Sequence, residues 1–187
     1  MYLYLIMELI KLLVVTTGLC CVLHTGGNLS KQTTDTVPKS AIKGNFNGKP
    51  GYAWIVPPQL TADKESCVNG DCTTYIHFSD PTIKPIKLSN CIGGIPTNLG
   101  DLNNDGKDEI GLLRDWFTSC WRAYEVYTIK QGIGRHAVAP FSTHCNQWDN
   151  HIKPIEKDRR KRGYVIIHYS DFENDEIVTK AKSVAIK

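Results

Sequence analysis

Beyond residue 40 the chain carries short runs rich in Val, Ile, Tyr, Thr and Trp, cut by Gly, Pro, Asn and Asp. Strands joined by turns have that pattern, because β-branched and aromatic side chains suit a pleated surface and the punctuating residues suit turns. Strands are predicted over 52–56, 73–78, 84–88, 109–113, 123–129, 135–139, 163–169 and 176–180. No window of helical length sustains an apolar period of 3.6. The expected fold class is all-β.

The first 23 residues differ from the rest. They are apolar apart from Glu8, Lys11 and a few small polar residues. The run 12–19 is shorter than the roughly 20 residues that span a bilayer. It fits the core of an export signal, with Lys11 as its positive flank and Met7 as an alternative start. An uncleaved anchor helix is the competing reading. Cys20 and Cys21 follow at once, a position that resembles the lipid-attachment cysteine of bacterial lipoproteins, although Leu19 stands where a small residue is usual. The expected organisation is a signal over 1–23, a polar tether over 24–43 and a folded domain over 44–187. The expected destination is the cell envelope, lipid-anchored, periplasmic or extracellular, with membrane contact only through the signal or the anchor.

Cysteine usage agrees with export. Cys67, Cys72, Cys91, Cys120 and Cys145 lie beyond the tether, a density suited to an oxidising compartment. Cys67 and Cys72 flank a turn sequence and Cys120 and Cys145 sit near the ends of two consecutive strands, so these pairs are the expected disulfides, with Cys91 left over. Structural zinc is not expected, since short paired cysteine spacings are absent. The formal charge of +3, from 22 basic and 19 acidic residues, gives no case for nucleic-acid binding.

A polar turn recurs. Asn45, Phe46, Gly48 and Tyr52 align with Asp101, Leu102, Gly106 and Ile110 at a spacing of 56 to 58 residues. Each copy reads as a Gly-turn, a buried strand and two more strands, and the segment 171–178 is a poorer third echo without the glycine. In the second copy Asp101, Asn103 and Asp105 alternate, Gly106 follows and Glu109 closes the set. Calcium takes six to eight oxygens, and alternate side chains of a wrapped loop converge on one point. Lys107 would add its backbone carbonyl, while Asp108 is expected to face solvent. An Asx-rich turn without an ion is the alternative. The 101–110 segment resembles the calcium loop of FG-GAP/VCBS-type repeats, which build β-propeller blades. That resemblance implies Asp101, Asn103, Asp105, Lys107 and Glu109 as ligands of a structural Ca2+. It also implies two to three blade-like antiparallel units, a partial propeller stiffened by disulfides.

Four tryptophans are present, Trp54, Trp116, Trp121 and Trp148. Core packing is their common fate; Trp116 and Trp121, beside Cys120, are the better prospects for a ligand surface. The basic run 157–162 reads as a solvated loop. Motifs for acyl transfer, zinc proteolysis or phosphate binding are absent. His144 and Cys145 are adjacent, which does not by itself set imidazole against sulfur. The leading expectation is a calcium-stapled binding or scaffold module with an envelope protein or glycan as partner. The alternatives are a secreted glycan-active hydrolase and an envelope inhibitor or immunity-type protein.

Overall fold

The computed structural model describes residues 37–187. The predicted signal and the lipidation cysteines Cys20 and Cys21 lie outside the described residues.

β1 (Ile42–Gly44), β2 (Gly51–Val56), β3 (Thr73–Phe78) and β4 (Ile86–Ser89) form one antiparallel meander. β5 (Gly93–Asn98), β6 (Ile110–Asp115), β7 (Trp121–Lys130) and β8 (Ile133–His136) repeat that order in a second sheet, and β9 (Phe141–His144) pairs with the first half of β7. A five-residue helix, α1 (Cys145–Asp149), leads to the third sheet of β10 (Ile155–Lys157), β11 (Tyr164–Glu173) and β12 (Glu176–Ala185).

Side-chain parity along β6 and β7 explains how the sheets stack. Ile110, Leu112, Tyr127 and Ile129 pack with Ala53, Ile76, Ile86 and Leu88 of the first sheet. Leu113, Tyr124 and Val126 pack with Ile155, Val165 and Ile167 of the third. The second sheet is therefore a middle layer, which is why Ile110 to Leu113 are all buried instead of alternating. Each fully buried Ile or Leu there contributes about 1.5–3 kcal/mol. The outer sheets keep one wet face, where Tyr52, Val56 and Tyr75 are exposed. Gly111 makes room within the sheet for the Tyr124 ring of the neighbouring strand, since a Cβ there would lie 2.0 Å from the Tyr124 hydroxyl.

The all-β expectation holds, but the partial propeller does not, and with it falls the FG-GAP/VCBS resemblance. The three antiparallel sheets are separate and none is closed or curled. Blades must tile a ring around a channel; among the described residues a two-sided middle layer is instead covered by two one-sided layers. The 171–178 echo is the tight turn of the β11–β12 hairpin, with Asn174 and Asp175 both at positive φ. β1 begins at Ile42, within the last residues read as tether. Among the described residues no helix is long and apolar enough to cross a membrane.

Candidate functional site

The β5–β6 connection carries the predicted calcium ligands. Its oxygens first serve its own backbone. Asp101 accepts from the amides of Asp105 (3.1 Å) and Gly106 (3.0 Å), Asn103 Oδ1 from the amide of Asp105 (2.9 Å), and Asp105 Oδ1 from that of Lys107 (3.0 Å). Asp101 and Asn103 thus converge on one amide, and the wrap needs Asn104 and Gly106 at positive φ. The Lys107 ammonium turns away to the Ile129 carbonyl, 3.3 Å.

Glu109 is set apart from these exposed and half-buried ligands. It is fully buried, and its Oε2 accepts from the amides of Leu102 (2.7 Å) and Asn103 (3.3 Å). Its Oε1 has no hydrogen-bond partner. Thr128, whose own hydroxyl is equally unpaired, is close enough to favour the carboxylate but does not make a well-formed bond to it. Burial pushes the Glu109 carboxyl up to about 7, and Asp105 pushes in the same direction. None of Asp101, Asp105 and Glu109 takes part in an ion pair among the described residues.

Asp108 does not face solvent as expected. Its Oδ2 accepts from the Asn45 amide (2.8 Å) and from Asn98 Nδ2 (2.9 Å), while the Asp108 amide donates to the Asn45 carbonyl (2.9 Å). Asn45 Nδ2 also donates to the Gly106 carbonyl, 2.8 Å away. The two repeated turns are therefore stitched to each other.

Trp116 and Trp121 line one groove of about 270 Å3, together with Arg114, Asp115 and Arg122. Both indoles are exposed, whereas Trp54 is buried and Trp148 packs on Tyr124. The charges are already paired, Asp115 with Arg122 at 2.7 Å and Glu125 with Arg114 at 3.0 Å. Tyr127 donates a short hydrogen bond to Glu125. The facing free carboxylates of a glycoside hydrolase are missing from this groove. A larger groove, about 640 Å3, is lined by Asp101, Leu102, Tyr124, Trp148 and Ile155.

Both expected disulfides are formed, Cys67–Cys72 with Cα atoms 5.4 Å apart and Cys120–Cys145 with Cα atoms 4.9 Å apart, while Cys91 is buried and free. The second follows from register: Trp121 pairs with His144 across β7 and β9, so Cys120 and Cys145 are the next residues along. That register also brings in a residue the sequence left unassigned. His144 Nδ1 lies 3.6 Å from the Cys145 sulfur, and its ring stacks edge-on to Trp121, centroids 4.9 Å apart. Cys120, His144 and Cys145 are the one set of three His, Cys, Asp or Glu residues among those described whose ligand atoms all fall within 4.8 Å of one another. The adjacency of His144 and Cys145, beside an expected Cys120–Cys145 disulfide, is the legible signal, although β9 itself is not among the predicted strands. Short cysteine spacings alone overlook it.

Fold and sites together define a class, a disulfide-stiffened domain of three stacked antiparallel sheets with a carboxylate-rich turn at one sheet end. Compared with family models, with curated proteins and with solved structures, the chain matches none.

Proposed function

We propose that the chain is an exported binding module whose 101–109 turn is ordered by Ca2+. The buried Glu109 carboxylate carries this reading. It has one oxygen unpaired, it shares nine residues with three further acids, Asp101, Asp105 and Asp108, and among the described residues it takes part in no ion pair. A cation held by Asp101, Asn103, Asp105 and the Lys107 carbonyl supplies the compensation, with Glu109 behind them closing the charge. Export is supported by the two disulfides, which persist in oxidising compartments. The groove lined by Trp116 and Trp121 is the contact surface, and its two exposed indoles suit stacking on a glycan. Catalysis is disfavoured because its carboxylates are tied up by arginines.

Calorimetric titration of the folded domain with calcium is the test. With affinity of roughly 10⁻⁴–10⁻³ M, as in extracellular modules, calcium at ten times Kd adds about 1.4 kcal/mol of stability. Asp105→Ala, which leaves Asp101 holding the loop amides, abolishes that gain. No heat and no melting shift at millimolar calcium, or an equal gain in the variant, overturns the reading.

A further inference from the structure

The disulfide between Cys120 and Cys145 differs from the other in its company. Cys120 is exposed, so an external reductant can reach its sulfur, and Cys145, half-buried, sits against the His144 imidazole. We propose that reduction of this disulfide opens a site for a borderline-soft divalent cation such as Zn2+, held by Cys120 Sγ, Cys145 Sγ and His144 Nδ1. The inference goes beyond the binding module proposed above and does not depend on it.

Bond lengths support the assignment. Zn–S of about 2.3 Å and Zn–N of about 2.0–2.1 Å in a tetrahedron place sulfur and nitrogen about 3.6 Å apart. Cys145 Sγ lies 3.6 Å from His144 Nδ1 but also 3.8 Å from Nε2, over the ring, so the spacing fits once the imidazole turns its Nδ1 lone pair towards the sulfurs. Nδ1 is also the nitrogen with a free electron pair, because it accepts the Asn146 amide at 3.3 Å, a long bond that a metal ion displaces. The backbone frame is braced. The His144 amide donates to Ser170 Oγ (3.0 Å), Ser170 donates to Gln147 Oε1 (2.9 Å), and the fully buried Gln147 donates to the His168 carbonyl (2.8 Å). The two sulfurs part from bonding distance to about 3.8 Å and the His144 ring turns, all by side-chain rotation on the braced backbone. Water or Asn146 Oδ1, 3.8 Å from the Cys145 sulfur, completes four-coordination.

The chemistry balances with a dithiol reductant. Its thiolate attacks Cys120 Sγ and breaks the protein disulfide, Cys145 leaves as thiolate, and the second reductant thiol then attacks the mixed disulfide, expelling Cys120 as thiolate and closing the reductant's own disulfide. Two electrons and two protons pass to the protein. Binding of one Zn2+ then releases the two thiol protons.

The test uses the full chain reduced with a phosphine, titrated with Co2+ as a spectroscopic probe and then with Zn2+ in competition with a chromophoric chelator. Reduced protein is expected to bind one equivalent with thiolate-to-cobalt charge transfer and tetrahedral d–d bands; oxidised protein shows neither. Cys120→Ser abolishes the signature. His144→Asn, which keeps a good helix cap, weakens binding at least tenfold. The Cys67→Ser/Cys72→Ser variant retains it in full. A signature that survives Cys120→Ser, or that disappears with Cys67 and Cys72, overturns the proposal. So does a reduced chain that neither binds the ion while folded nor, if reduction unfolds it, refolds when the ion is added. Cobalt bound without charge transfer reports the carboxylate turn and counts against the thiolate site.

Discussion

The turn before β2 and the turn before β6 start from one design and end differently. Each plugs the core with one apolar residue, Phe46 in the first and Leu102 in the second, both buried. Each then bends at a glycine with positive φ, Gly48 or Gly106. The first is two residues shorter and has Asn45, Asn47 and Gly51 where the second has Asp101, Asn103 and Glu109. Hydrogen bonds close the first turn, which has no acid of its own. The acidic turn does the same with its outer carboxylates but also buries one that its backbone satisfies only halfway. A hairpin scaffold thus tolerates a buried charge when the loop above it is long enough to wrap.

Truncation of the plugs breaks the comparison most deeply. Phe46→Ala is expected to cost about 4 kcal/mol and Leu102→Ala about 3 kcal/mol. Denaturant melts with and without calcium should show that the ion still stabilises the first variant and no longer stabilises the second. An identical calcium response in both would mean that the turns do not differ in function.

The buried charge gives the next largest effect. The folded pKa of Glu109 stands at about 7, above its ordinary 4.5. A carboxyl raised in the fold keeps its proton after the unfolded chain has lost it. Metal-free stability therefore falls as pH rises from about 4.5 to about 7, by at most about 3 kcal/mol from this group. Glu109→Gln should flatten that slope, and urea midpoints measured across the window decide it. Parallel slopes in the two proteins would show that Glu109 is not the cause.

The smallest effect concerns the stitch between the turns. Asp108→Ala removes the acceptor of Asn45 and Asn98 and should cost about 1–2 kcal/mol, read as a melting shift, with calcium binding intact. Loss of the calcium response in that variant would place Asp108 among the ligands.

Much of the frame is legible from residue pattern. The span 73–78 coincides with β3, and β6, β7 and β11 are each anticipated in part, because β-branched and aromatic runs bounded by turn residues have few alternatives. β5 escapes notice because Gly93, Gly94 and Pro96 lack strand propensity; Pro96 is tolerated since β5 is an edge strand. β1, β9, β10 and α1 are too short to show a period. Both disulfides are legible through turn and strand ends. What local pattern could not carry is anything made by distant pairing: the contact of Asp108 with Asn45, the indole groove, and the approach of Cys120 to His144, which depends on the β7–β9 register. The same limit explains the propeller error, since a turn repeat fixes a hairpin but not how its sheet is covered.

The middle layer comes second along the chain, between the two sheets that cover it. During synthesis or passage through a narrow pore, the first sheet emerges while its apolar side, with Ile76 and Leu88, still awaits the residues of β6 and β7. A chain that ends before β6 would leave that side uncovered and prone to self-association.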